Sequence, residues 1–157
     1  MIRRSLIAMF AALALVSGAA SAQDKPNFSG TWKMDGAKSD FGPMPAPDKL
    51  MRTIDHKDPE MQIKTTQSGQ QGEVTSELKY KTDGTESVNK LRGQDVKGIA
   101  KWEGEKLVVR SKREVQGMEI SITETWALSG EGKVLTVTNA IDTPQGSFEA
   151  KIVLDKQ

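Results

Sequence analysis

Seven polar side chains fall on strand faces that alternation marks as apolar: Arg52, Thr65, Ser76, Ser111, Arg113, Glu124 and Asn139. A buried charge is costly unless something answers it, so each needs a partner, a water or a ligand. Guanidinium pairs well with carboxylate or phosphate. Arg113, close to a hairpin at residues 116–117, is therefore the expected contact for an acidic head group. Glu124 would repel such a head and is expected farther in, facing Asn139 and held by it or by Arg52. Tyr80, Trp102 and Trp126 would form the walls. The expected ligand-binding set is thus Arg52, Tyr80, Trp102, Arg113, Glu124, Trp126 and Asn139. The same residues have a second reading: internal pairing in a small wet interior, with Glu124 joined to an arginine.

Other chemistries find little support. There is no cysteine and one histidine, and no serine sits in G-x-S-x-G, so a nucleophilic triad is hard to assemble. Glu124 is the single candidate for a catalytic base. His56, with Asp55, Asp58 and Pro59 beside it, reads as a solvated turn residue rather than a metal ligand. Met34, Met44, Met51, Met61 and Met118 lack the tight spacing of a copper site and read as packing residues. Ser129-Gly130-Glu131-Gly132-Lys133 lacks the spacing and following helix of a phosphate loop and reads as a hairpin turn. No metal and no cofactor is expected.

The elements that must position these residues are strands. Val74, Ser76, Leu78 and Tyr80 alternate with a mostly charged set at Glu73, Thr75, Glu77, Lys79 and Lys81. Similar alternation begins at Phe28 and recurs to about residue 155, with turn signals every 8–12 residues. The expected fold is all-β: an antiparallel up-and-down meander of about 8–10 strands, closed into a barrel. Gly104-Glu105 fits a two-residue hairpin loop, pairing Trp102 with Leu107, Ala100 with Val109 and Gly98 with Ser111. Gln116-Gly117 pairs Val115 with Met118 and Arg113 with Ile120. If Ser129 meets Val134, then Trp126 faces Val137 and Glu124 faces Asn139. Apolar faces agree across all three hairpins, which supports the register. At Asp83-Gly84 the register stays open: either Ser87 and Asn89 or Val88 and Lys90 face inward. Pro43, Pro45 and Pro47 forbid a regular helix in 35–49 and favour an extended segment, either a lid over one mouth or a simple connector that covers an end.

Residues 1–22 read as an export signal, with Arg3 and Arg4, an apolar run from Leu6 to Val16, and the cleavage site Ala20-Ser21-Ala22. The remainder, 23–157, is expected to be one domain, periplasmic or secreted. Removing the two arginines leaves 20 basic residues against 21 acidic ones, a net charge of −1. That balance excludes nucleic acid and anionic membranes as electrostatic partners. No cysteine is available for a lipid anchor or a disulfide.

Gly30-Thr31-Trp32 at the head of such a meander resembles the G-x-W signature of lipocalins and their calycin relatives. Phe28-Ser29-Gly30-Thr31-Trp32-Lys33 is also similar to the start of fatty-acid-binding proteins. The resemblance implies that Trp32 plugs one end of a barrel. It departs elsewhere. Thr82-Asp83 is followed by Gly84 where lipocalins have T-D-Y. The last strand offers Lys151 where an arginine should cover the tryptophan. Phe148-Glu149-Ala150-Lys151-Ile152 holds no R-x-Y carboxylate clamp, and a proline-rich segment replaces a helix pair.

Two functions follow as expectations. One is an exported, soluble barrel that binds a small, partly apolar or amphipathic ligand inside. The other is a structural or protein-interaction module whose interior is filled. An enclosed volume of about 300 Å³ or more separates the first from the second.

Overall fold

The computed structural model describes residues 24–70 and 72–157. The segment read as an export signal, 1–22, lies outside them. The described residues form ten strands: β1 (Gly30–Met34), β2 (Lys49–Lys57), β3 (Glu60–Gly69), β4 (Gly72–Lys81), β5 (Asp83–Leu91), β6 (Gln94–Glu103), β7 (Lys106–Val115), β8 (Met118–Ser129), β9 (Val134–Thr143) and β10 (Gly146–Lys156). They make one antiparallel sheet in the order β4-β3-β2-β1-β10-β9-β8-β7-β6-β5. Each strand pairs with its neighbours in sequence except at two places. β1 pairs with β10, with Trp32 opposite Lys156, which brings the two ends of the meander together. Between β4 and β5 the ladder is interrupted. The result is the up-and-down meander expected, nearly closed into a barrel.

The three hairpin registers read from the apolar faces are those of the structure. Trp102 stands opposite Leu107, Arg113 opposite Ile120, and Glu124 opposite Asn139. The register left open at Asp83-Gly84 is resolved by Asn89. Its side chain reaches across the break to β4, where Oδ1 accepts the Lys79 N–H at 2.7 Å and Nδ2 donates to the Lys79 carbonyl at 2.9 Å. Asn89 thus supplies two bonds in place of the missing ladder and is buried, while Val88 is 60% exposed on the outer face.

The G-x-W strand does what its residues suggest. Trp32 is fully buried, and its indole N–H donates to the Phe28 carbonyl at 2.9 Å. The cation over its ring is Lys156, with Nζ 5.3 Å from the centroid, and not the expected Lys151. Parity along β10 is the reason. Lys156 shares the inward face with Leu154 and Ile152, whereas Lys151 points outward. Gly30 completes the arrangement, since a Cβ there would come within 2.7 Å of Lys156 Cε.

Beyond Met34 the chain keeps to the edge of β10 before crossing the open end. Asp35 N–H donates to the Val153 carbonyl at 2.8 Å, and Asp40 and Lys151 exchange two backbone bonds of 2.7 and 2.6 Å. The proline segment then spans the mouth, and Asp48 N–H rejoins the sheet at the Ser68 carbonyl, 2.8 Å away.

Candidate functional site

The interior is divided by depth. Its lower part is a dry plug. Phe28 stacks on His56 and Trp102, with centroids 5.7 and 5.8 Å apart, and meets Trp126 edge-on at 5.6 Å. His56 is part of this plug rather than a solvated turn residue. It is 3% exposed at the inward end of β2, and its Nδ1 accepts the Phe28 N–H at 3.3 Å. Burial lowers its pKa, against the opposing pull of Asp58. Asp58 closes the end from outside. It accepts the Thr82 hydroxyl and the Trp102 indole N–H, the latter at 2.9 Å, and pairs with Lys25 at 3.4 Å. Burial alone would raise its pKa, but those donors and Lys25 bring it down to about 2.

Tyr80, Trp102 and Trp126, expected as ligand walls, belong to this lower region and do not line the cavity. Alternation placed them on the right face but carried no information on depth. Tyr80 packs over Gly98, where a Cβ would lie 2.7 Å from the ring. Burial, and then the charge of Glu124, push its hydroxyl pKa upward.

Above the plug lies a cavity of about 800 Å³. Arg52, Arg113, Glu124 and Asn139 line it together, as do Thr65 and Ser76. Ser111, the remaining inward polar residue, sits against Gly98 and outside the lining. The apolar part of the wall includes Leu50, Ile122, Ile141 and Ile152, and the roof is the proline segment with Phe41 and Met44. Sequence reading missed Arg92, on the β5–β6 turn, which also lines the cavity. A signal existed. Arginine is scarce in this lysine-rich chain. Of the described arginines, only Arg110 stays outside, paired with Glu103 at 3.0 Å, while no lysine lines the cavity.

Arg52 makes the floor. It is 8% exposed, and its guanidinium lies 4.9 Å above the Trp126 ring. Nε–H donates to Thr65 Oγ1 at 3.2 Å, and Nη1 has no hydrogen-bond partner among the described residues. Burial lowers its pKa, with the charges of Glu124 and Tyr80 opposing. Glu124 is near enough to act on Arg52 electrostatically, but no ion pair joins them among the described residues. Its Oε2 instead accepts the Trp126 indole N–H at 3.2 Å. Arg113 faces inward higher up, half-buried, with its Nε also unpartnered. Burial, then the like charge of Arg92, lower its pKa, and Glu124 works the other way. The expected internal pairing of Glu124 with an arginine is therefore not formed. Among the described residues no cluster of three or more His, Cys, Asp or Glu side chains could hold a metal ion.

Neither a family model nor a curated protein sequence matches the chain. Solved structures do. A secretory abundant heat soluble protein from Ramazzottius varieornatus superposes with a TM-score of 0.64 at 13% identity, over 82% of this chain and 94% of that one. The chain folds as a calycin-type β-barrel. Zebrafish ileal bile acid-binding protein, crystallised with cholic acid, gives a TM-score of 0.55 at 23% identity over 83% of this barrel's chain and 98% of its own. Human cRBP IV gives 0.56 at 18% identity, over 84% and 99%. The departures from the family motifs at Gly84, at the cation over Trp32, at 148–152 and in the helix-free connector leave a ten-stranded antiparallel meander.

Proposed function

We propose that this calycin barrel binds a small, partly apolar molecule bearing an acidic group, in the cavity above Arg52. One observation carries the reading. A guanidinium more than nine-tenths buried lines a cavity and, among the described residues, has no carboxylate at ion-pair distance. An unpaired buried charge costs several kcal/mol, and a ligand anion would remove that cost. The acidic group goes to the floor at Arg52, beside Asn139, with the Glu124 carboxylate turned to the Trp126 indole. Leu50, Ile122, Ile141 and Ile152 take the apolar body. The cavity volume lies within the range of small-molecule sites, which favours this reading over a filled interaction module. That the zebrafish barrel was crystallised with cholic acid, an amphipathic acid, is in keeping with it. Residues 1–22 carry the features of an export signal, so the barrel would act in the periplasm or outside the cell. Intact mass of the processed chain tests this by placing its start at Gln23.

The binding test compares tetradecanoate with tetradecanol on protein refolded from denaturant to strip endogenous ligand. Quenching of the buried tryptophans reports occupancy. The acid should bind at least tenfold more tightly than the alcohol, as a charge-assisted contact predicts. Arg52→Met should erase that preference. Equal affinity for acid and alcohol in the parent protein would overturn the reading.

A further inference from the structure

We infer that the ligand carries two acidic groups, one held at the floor by Arg52 and the other near the mouth by Arg113 and Arg92. The inference rests on the reading of the cavity as an anion site and names its ligand class: an amphipathic diacid with an apolar middle.

The argument begins with spacing. Arg52 lies on Trp126, which pairs with Leu107 near the start of β7. Arg113 stands six residues farther along the same strand, roughly 20 Å of chain at the usual rise. Arg113 is therefore rooted at a different level of the barrel from Arg52, with Glu124 between them. Its own surroundings point the same way. Arg113 Nε is buried without a partner, although the side chain as a whole is only half-buried. The charge that disfavours it is another arginine, Arg92, from the β5–β6 turn, which lines the same cavity. Arg92 is exposed and Arg113 half-buried, and two guanidinium groups lining one cavity, neither with an ion pair among the described residues, offer an anion a place between them. Arginine also suits the task, since its planar fork accepts a carboxylate or phosphate through two parallel bonds. Between the two levels the wall is apolar on one side, with Ile122 and Ile141. Glu124 is the acidic residue between them, and it is turned to the Trp126 indole.

The test compares tetradecanedioate with tetradecanoate, two molecules of one chain length that differ by the second carboxylate. In the parent protein at low ionic strength the diacid should bind about tenfold more tightly or better, the worth of one charge-assisted contact. In Arg92→Asn, and separately in Arg113→Gln, the ratio of the two affinities should fall to about one. Asparagine is chosen because Arg92 has φ of 52°, a conformation asparagine tolerates. Thermal melts confirm that each variant is folded. Equal affinities for diacid and monoacid in the parent overturn the second site while leaving the floor site standing. A diacid preference that survives both substitutions overturns the assignment to Arg92 and Arg113. If neither acid binds better than tetradecanol, the anion reading itself fails, and this inference fails with it.

Discussion

Replacing Arg52 with methionine should make the empty barrel more stable while abolishing its preference for anions. The structure gives both sides of the balance. Methionine loses the bond from Nε to Thr65 Oγ1, worth about 1 kcal/mol, and the contact over Trp126, worth roughly 1–2 kcal/mol. It also loses part of the attraction to Glu124. Against this, it removes a buried guanidinium that lacks an ion pair and leaves one nitrogen unbonded, a situation that costs about 3–5 kcal/mol. The thioether stem buries about as much apolar surface as the arginine stem it replaces, so that term is small. Taken with the lost attraction to Glu124, the net expectation is a stabilisation of up to roughly 2 kcal/mol. Urea unfolding of ligand-free protein, followed by tryptophan fluorescence, measures it as a higher midpoint at unchanged slope. With saturating tetradecanoate the order should narrow or reverse, because only the parent gains binding energy. If the ligand-free methionine variant is less stable than the parent by more than about 1 kcal/mol, Arg52 is satisfied within the protein and the case for an anion on the floor collapses.

Trp32→Ala should cost roughly 3–5 kcal/mol, since Trp32 is fully buried and capped by Lys156; urea melts matching the parent would show that it is not the plug. Asn89→Ala should cost about 1–3 kcal/mol by leaving the Lys79 N–H and carbonyl without their bridge, and hydrogen exchange should rise at Lys79 before it rises in β8 or β9. His56 has a folded pKa below its ordinary value of 6.5, so the unfolded chain binds more protons: stability should be complete above about pH 6.5 and fall as pH drops through it, and His56→Gln should flatten that fall in urea midpoints. Asp58, held down to about 2, should contribute stability above pH 3.8 that is lost as pH falls toward 2, and Asp58→Asn should remove this lower step.

Much of the fold was legible because period-two alternation is a direct consequence of strand geometry. Three hairpins fixed one another through their apolar faces, and the structure keeps every one of those pairings. The open register at Asp83-Gly84 could not be settled that way. There the outer position holds an apolar Val88 and the inner one a polar Asn89, the reverse of the usual pattern. Asn89 is inside because the barrel breaks between β4 and β5, and its amide replaces backbone partners. Such a break is invisible to a pattern that counts only faces. The cation over Trp32 is hidden from the sequence for a related reason. Lys151 and Lys156 differ in parity on β10, and only the pairing of β10 with β1 decides which of them reaches the ring.

The site was legible by face and illegible by depth. Arg52, Arg113, Glu124 and Asn139 share the cavity because alternation alone determines that they point inward. Tyr80, Trp102 and Trp126 also point inward, yet they form a floor beneath it instead of a wall around it. What separates the two groups is the N-terminal lead. Phe28 enters between His56, Trp102 and Trp126 and fills the lower barrel, a contact between distant parts of the chain that no local pattern encodes. That plug is what gives Arg52 its chemical character. Resting on a dry aromatic layer, with water excluded from below, the guanidinium can regain its lost solvation only from the cavity side. The closed end and the binding end are thus one arrangement: loosening the plug at Phe28 should admit water beneath Arg52 and weaken anion binding without touching a single residue that lines the cavity.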